Sequence, residues 1–277
     1  MIKLSPNKSI AIVAGGGDAP RLLIESLEQQ QLHYFILAIK DNADPKLLIN
    51  RKHQWVSLGE LKKIFKALKE NNVSHVSLIG SISRPSIKSL KLDSKAIFTI
   101  LKFGMKSFLG GDNKLLTTVL KIFESEGYQI ISPEKITPEL ITPKGVLGKI
   151  KPCKTDMEDV EIGKKVLETL GMLDVGQAVV VENHYILGIE AAEGTNNLIK
   201  RSKLLKKEKK PYGVLVKMKK STQDMRIDLP SIGVHTIEEL KHAGLRGIAI
   251  KSGESFIIDI KEVIKEADKN KIFILGI

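Results

Sequence analysis

Ile10-Ala11-Ile12-Val13-Ala14-Gly15-Gly16-Gly17-Asp18-Ala19-Pro20 is the stretch that sets the fold of the first half of the chain. Its apolar run ends abruptly in glycines, which reads as a short buried strand followed by a sharp turn. Helical spacing begins just beyond, with Leu22, Leu23, Ile24 and Leu27 between Arg21 and Gln30. Further strand signals fall at 34–39, 54–58, 76–79 and 129–131, and helical signals at 61–68 and 115–123 lie between them. Strands separated by helices imply a parallel sheet closed by right-handed crossovers.

The pattern then changes. Pro133, Pro138 and Pro143 fall at even spacing, followed by Gly145 and Gly148, and read as an extended connection. The sequence therefore divides into a first domain over 1–132, a linker over 133–150 and a second domain over 151–277. The second half is also α/β, but mixed. Thr155 to Glu158 and Thr236 to Glu239 fit capping boxes, for helices that stop at Gly171 and Gly244. Segments 177–182 and 185–190 flank Asn183-His184 as a hairpin would. Thr195 is placed to cap a helix through Leu198 and Ile199. Strand signals follow at 214–218, 248–251, 256–258 and 272–275.

Composition narrows the partners. The chain has 277 residues, 42% hydrophobic and 27% charged, which suits a folded globular protein. Its opening residues do not read as a secretory signal, and no apolar run approaches the ~20 residues of a membrane-spanning helix. With Cys153 as the only cysteine, no internal disulfide forms; a cytoplasmic location is expected. A net charge of +12 suits nucleic acid, an anionic membrane surface, an anionic small substrate, or simply a lysine-rich solvated surface. Only 5% of residues are aromatic, and no zinc-finger or RNP-type run occurs, so nucleic acid is not the expected partner.

Several segments carry candidate chemistry. The glycine loop at Gly15, Gly16, Gly17 and Asp18 stands where a phosphate-binding turn belongs; a plain tight turn fits it equally. Pro20 occupies the place where a dinucleotide fingerprint needs glycine or alanine, and no lysine follows in Walker position. NAD and P-loop nucleotide binding are thus disfavoured. Gly80-Ser81-Ile82-Ser83-Arg84-Pro85 leaves another strand with hydroxyls and one arginine, and Gly110-Gly111-Asp112-Asn113-Lys114 opens a helix. In Gln223-Asp224-Met225-Arg226-Ile227-Asp228-Leu229-Pro230, an extended chain puts Asp224, Arg226 and Asp228 on one face. That pattern suits a hard cation such as Mg²⁺ or an oriented water, and equally a surface ion pair. Glu190-Ala191-Ala192-Glu193-Gly194-Thr195 offers a hydroxyl and backbone amides to a phosphate, or only a helix cap. Lys217, Lys219 and Lys220 precede Asp224 and suit an anionic substrate or open solvent. The six histidines form no metal-ligand pair, and no G-x-S-x-G elbow occurs.

The stretches AIVAGGGDAP (11–20), GSISRPS (80–86), GGDNKLL (110–116), DVGQAVVVE (174–182), GIEAAEGT (188–195) and QDMRIDLPSIG (223–233) together resemble the LpxI-type UDP-2,3-diacylglucosamine pyrophosphatases of lipid A biosynthesis. The resemblance implies a Rossmann-like N-terminal domain and a distinct mixed α/β C-terminal domain, with a lipid-linked nucleotide sugar held between them. It further implies a homodimer at the cytoplasmic face of the inner membrane, and Mg²⁺-assisted attack of water on the α-phosphorus to give UMP and 2,3-diacylglucosamine 1-phosphate. An aspartate of the Q-D-x-R-x-D stretch is essential in the family; Asp224 is the catalytic choice, with Asp228 in reserve, and both are candidate metal ligands. Substrate contacts are expected at Gly15 to Asp18, Gly80, Ser81, Arg84, Asp112, Glu193, Gly194, Thr195, Lys217, Gln223, Arg226 and Asp228. The sequence departs from the family pattern at Asn113 and Asn196, where that pattern has aspartate. A non-catalytic nucleotide-sugar or lipid-binding protein is the first alternative reading, and a basic nucleic-acid-binding protein the second.

Overall fold

The structure is a computed structural model that describes residues 7–82, 91–104, 108, 112–207, 211–220, 226 and 229–277, with backbone alone at 112 and 113. Two units emerge, Met1–Pro138 with Asp224–Asp228, and Glu139–Gln223 with Leu229–Ile277.

In the first unit, β1 (Ser9–Ala14), β2 (Tyr34–Ile39), β3 (His53–Val56), β4 (Val73–Ile79) and β5 (Gln129–Ile130) form one sheet in the order β3-β2-β1-β4-β5. Every pairing is parallel. Its helices are α1 (Ala19–Gln29), α2 (Leu61–Glu70), α3 (Ser94–Phe103), α4 (Asp112–Ser125) and the short α5 (Pro133–Ile136). Alternate residues Ala11, Val13, Leu37, Val76 and Leu78 pack with Phe65 and Leu68 of α2 and Leu120 and Phe123 of α4. The intervening Ile10, Ile12 and Ile36 are equally buried, on the face that a right-handed β1–α1–β2 crossover assigns to Leu23, Ile24 and Leu27. A strand covered on both faces has no polar side to show, which is why β1 reads as an unbroken apolar run. The chain leaves β1 toward β2 and later returns to pair β4 on its other side. That reversal opens a crevice beyond the carboxyl ends of β1 and β4.

The second unit holds β6 (Gly145–Leu147), β7 (Ala178–Glu182), β8 (Tyr185–Ile189), β9 (Val214–Lys217), β10 (Ser231–Ile232), β11 (Gly247–Ile250), β12 (Phe256–Ile257) and β13 (Phe273–Gly276). Six of them make a sheet in the order β6-β13-β11-β9-β7-β8, and β10 pairs β12 separately. β9, β11 and β13 run parallel, whereas β6, β7 and β8 join antiparallel. α6 (Lys154–Gly171) sets Val160 and Leu167 against Val179, Val181, Val214 and Val216 on one face. α7 (Gly194–Leu205), α8 (Val234–Ala243) and α9 (Ile260–Lys269) cover Val180, Leu215, Ile248 and Ile274 on the other. At the expected hairpin, Asn183 and His184 both take positive φ, 49° and 65°. Such a turn matches the twist of the strands. The buried Asp159 carboxylate accepts both turn amides, at 3.0 and 2.7 Å.

Local details depart from the sequence reading. The 133–150 stretch is not one extended connection. Pro133 starts a helical turn where its missing N–H costs nothing, the unit boundary falls at Pro138, and Gly145–Leu147 is an edge strand on β13. α6 starts ahead of Thr155: Cys153 is its N-cap, and the Cys153 N–H donates to Asp156 at 2.7 Å. Asp156 is held there by the Arg246 guanidinium, also at 2.7 Å, so it and not Glu158 serves as the acceptor. α8 likewise starts after Gly233, whose N–H donates to the Thr236 hydroxyl at 3.3 Å. Thr236 is the third helical residue rather than the cap. α3 has no counterpart in the sequence reading. Ile97, Phe98, Ile100, Leu101 and Phe103 spread over more than half of the helix circumference beside a narrow stripe of Lys95, Thr99 and Lys102, and Ile97, Phe98 and Leu101 are exposed. Among the described residues no helix is long and apolar enough to cross a membrane.

Candidate functional site

Two loops meet beyond the carboxyl ends of β1 and β4. Gly16 N–H donates to Ser81 O at 2.7 Å and Ser81 N–H returns to Gly16 O at 3.0 Å, while Gly15 N–H donates to Ile79 O at 2.9 Å. The approach is close enough to exclude side chains: a Cβ on Gly15 would lie 2.4 Å from Ser81 O, and one on Gly80 2.7 Å from Gly16 O. Gly15 and Gly16 therefore have a packing cause of their own. This close approach also changes the role expected of the loop, because the amides of Gly15 and Gly16 are already given to the neighbouring strand and loop. Gly17, exposed at φ +85°, and the first turn of α1 are the backbone that fronts the crevice. Asp18 caps that helix by position without a side-chain cap bond, and Pro20 is its second residue. Arg84 lies outside the described residues, as do Gly110 and Gly111; of Asp112 and Asn113 the backbone alone is described, at the start of α4.

In the second unit a side-chain network forms at the carboxyl end of β9. Lys217 is the last residue of that strand and only 7% exposed. Its ammonium donates to the Thr195 hydroxyl and to Ser231 O, both at 3.0 Å. Thr195 in turn donates to Glu190 Oε1 at 2.7 Å, and Glu190 Oε2 accepts the Gln177 N–H at 2.8 Å. The pairing of β7 with β9 and β8 brings these groups together, since Ala178 stands opposite Lys217 and Val179 opposite Ile189. Thr195 is thus inside α7 rather than at its cap, and its hydroxyl proton is spent on Glu190.

Glu193 is engaged within the second unit. Arg201 donates to its Oε1 from Nε and Nη2 at 3.0 and 2.8 Å, and Ala191 N–H donates to Oε2 at 3.1 Å. Its own backbone amide, and then Arg201, hold the carboxyl below its usual range. Gly194 follows at φ +78°. Lys220 is bonded to Asp174 at 2.8 Å, and Lys219 pairs with Glu254 at 3.5 Å. Those two lysines are counterions within the unit, whereas Lys217 belongs to the buried network. Asn196 is exposed on the first turn of α7.

Gln223, Asp224 and Asp228 lie outside the described residues, and so does the alternation expected between them. Arg226 is described. It groups with the first unit and donates from Nη1 to Glu124 of α4 at 2.6 Å. No local pattern links residues 102 positions apart, so nothing in the sequence announces this pair. Glu190 also escaped the sequence reading as a site residue, although it stands in the GIEAAEGT stretch, directly after a strand. Among the described residues no three His, Cys, Asp or Glu side chains gather as a metal centre would require. A cavity of about 620 Å³ lies at the opposite, amino end of the first sheet, lined by Ser9, His33, Tyr34, Arg51 and Lys52. Open α/β sheets bind ligands at the carboxyl end, so position argues against it as the site.

The sequence model of the LpxI N-terminal domain matches residues 9–140, and that of the LpxI C-terminal domain matches residues 143–275. UDP-2,3-diacylglucosamine pyrophosphatase LpxI of Caulobacter vibrioides is 34% identical over 275 residues, 98% of this chain and 98% of that protein. The crevice at the first sheet's strand reversal and the buried lysine network of the second unit are therefore features of a chain that belongs to the LpxI family.

Proposed function

We propose that this protein is an enzyme that hydrolyses the pyrophosphate of UDP-2,3-diacylglucosamine, as a step of lipid A biosynthesis. What carries the reading is family correspondence through both units rather than through one portable domain. Water attacks the α-phosphorus. The new P–O bond forms as the bond to the bridging oxygen breaks, and a proton of the water is released. UMP is one product; the bridging oxygen leaves with 2,3-diacylglucosamine 1-phosphate. Asp224 would orient the water or hold Mg²⁺, with Asp228 as the second carboxylate. Two carboxylates suit a hard cation, and Mg²⁺ when bound would offset charge on the diphosphate oxygens. The chain's own contribution is clearer at Lys217. A buried ammonium costs desolvation beforehand, and so meets developing phosphate charge without first shedding water. Arg226 supplies a second cation, with Glu124 as its partner before substrate arrives.

Incubation of the purified protein with UDP-2,3-diacylglucosamine and Mg²⁺ is expected to release UMP. In ¹⁸O-water the label should enter UMP; label in the lipid phosphate instead would move the attack to the β-phosphorus. Chelation by EDTA should abolish turnover. Asp224→Asn should lower turnover by at least about 1000-fold while the protein melts normally, the scale of losing a group that acts on the reacting atoms. Binding without UMP release would make the protein a nucleotide-sugar binder instead. The reading also includes peripheral association with the cytoplasmic face of the inner membrane and a homodimer. Support for the former is the net charge of +12 and the exposed Ile97, Phe98 and Leu101 on α3.

A further inference from the structure

A second row of side chains crosses the larger sheet of the second unit, one residue beyond the Lys217 network. β9 and β11 run parallel with Lys217 opposite Ile250, and the ladder continues past both: Lys251 N–H donates to Lys217 O at 3.1 Å. On the other side of β9, where Ala178 pairs with Lys217, Met218 N–H donates to Gln177 O at 2.9 Å. Gln177, Met218 and Lys251 therefore stand side by side at the carboxyl end of β9. Alternation gives them one face. Val179, Val216 and Ala249, two residues further into the three strands, all pack in the cluster under α6, as does Met218. The row is thus separate from the Lys217 network, which takes the face of α7.

Two features of this row point to a ligand. Lys251 is half-buried, and among the described residues its ammonium has no hydrogen-bond or carboxylate partner. Two neighbouring lysines are already engaged, Lys219 with Glu254 and Lys220 with Asp174. A half-buried ammonium gives up hydration without return unless an anion meets it. Independently, Gln177 Oε1 is buried and accepts no hydrogen bond among the described residues. A buried acceptor left unpaired is destabilising until a donor reaches it. Strands about 4.8 Å apart put the two residues about 10 Å apart, with Met218 between them, a span that both side chains can close around one ligand. Position agrees. Ligands of parallel strands lie beyond their carboxyl ends, and the chain that leaves β9 there carries Asp224 on its way to β10.

We infer that Lys251 and Gln177 are substrate-binding residues: the Lys251 ammonium donates to a diphosphate oxygen, and the Gln177 carboxamide accepts from a hydroxyl of a sugar adjoining the diphosphate. The inference rests on the reading of the protein as a UDP-2,3-diacylglucosamine pyrophosphatase.

The test combines binding and turnover on the full chain. Calorimetric titration with UDP reads the diphosphate contact without the reaction, and UMP release from UDP-2,3-diacylglucosamine gives kcat and KM. Lys251→Met, close in shape and uncharged, should weaken UDP binding about 10-fold and raise KM about 10-fold, with kcat within about 2-fold, because a contact made equally in ground and transition states moves KM. Lys251→Arg, which keeps the charge, should recover most of both losses. Lys203→Met, which removes an exposed lysine from the last turn of α7, should change neither quantity, and so separates a local contact from the loss of one net charge. Gln177→Leu should raise KM about 5-fold without lowering the melting temperature, since it removes an unpaired acceptor. A matching loss with UDP assigns the hydroxyl to the ribose; a loss confined to the whole substrate assigns it to the glucosamine. Unchanged UDP affinity and KM in Lys251→Met overturn the inference, and so does an equal loss in Lys251→Arg. Unchanged KM in Gln177→Leu removes the Gln177 contact. If Lys251→Met does not fold, Lys251→Gln carries the same comparison. Wild-type protein that binds UDP but releases no UMP removes the proposed function instead, a separate outcome.

Discussion

The loop ends of the two sheets are built by different means. Beyond β1 and β4, Gly15 bonds Ile79 and Gly16 bonds Ser81 through backbone N–H and C=O groups, and the chains pass too closely for a Cβ on Gly15 or Gly80. Beyond β9, side chains do the holding: Glu190 to Thr195, Thr195 to Lys217, Lys217 to Ser231 O. A backbone clasp is a property of the fold, and a substitution that spoils it acts on stability first. A side-chain relay sits on strands and a helix that stand without it, so isosteric changes reach turnover before they reach the fold. The contrast is open to direct test.

The largest stability effect is expected at Gly80. Alanine there must adopt φ +93°, and its Cβ would lie 2.7 Å from Gly16 O and 2.9 Å from both Gly15 C and Pro20 Cγ. The left-handed backbone costs about 1–2 kcal/mol. The overlap adds about 1–3 kcal/mol, because two of the three atoms met are backbone. Gly80→Ala should therefore cost about 3 kcal/mol, measured as a shift of the first unfolding transition in urea. The two units need not unfold together, so the transition has to be followed with a first-unit probe such as Trp55 fluorescence. A loss below about 1 kcal/mol would show that the clasp yields easily, and the contrast with the second unit would dissolve.

Gly17 isolates the conformational share of that cost. It has φ +85°, yet a Cβ would meet nothing within 4 Å. Gly17→Ala should cost only about 1–2 kcal/mol, from backbone strain alone. The difference between the two alanine variants then measures the steric clasp itself. A Gly17→Ala loss equal to that of Gly80→Ala would mean that torsion, not contact, explains both.

The same division explains what the sequence revealed. Strands buried on both faces, such as β1 and β7, announce themselves as apolar runs, and glycines or Asn183-His184 mark where they turn. Order within the sheets was not legible, because pairing of β4 with β1 rather than with β3 is a long-range choice. Helix starts were misplaced for a local reason. Thr155 and Thr236 carry the capping pattern, but Arg246 fixes Asp156 from 90 residues away, and the start moves with it. α3 escaped because its apolar arc is broad, with Ile97, Phe98 and Leu101 exposed, rather than a narrow core-facing stripe. Of the site, the glycine loop and Lys217 stood out by residue type. Their roles did not, since a free amide and an engaged one look alike in sequence, and so do a solvated lysine and a buried one.

The smallest expected effect lies at the amino end of the first sheet, where side chains again form a network but far from the loop ends. Tyr34 donates its hydroxyl to Glu28 at 2.5 Å, and Arg51 donates to the same carboxylate at 2.9 and 3.1 Å. Burial, and then the Glu28 carboxylate, push the Tyr34 phenol up to about 12 from an ordinary 10.0. Below pH 10 the phenol is protonated whether the chain is folded or not, and its stabilising contribution is complete. Between pH 10 and 12 the unfolded chain ionises first, so that contribution falls as pH rises, and it is gone above the folded value. Tyr34→Phe should flatten this part of the stability profile, and a 295 nm titration should lose its phase near pH 12. Turnover at neutral pH should stay at the wild-type level, because this network touches neither the clasp nor the lysine relay. A change in turnover would mean that side-chain networks influence the reaction wherever they sit, and the relay at β9 would lose its claim to be special.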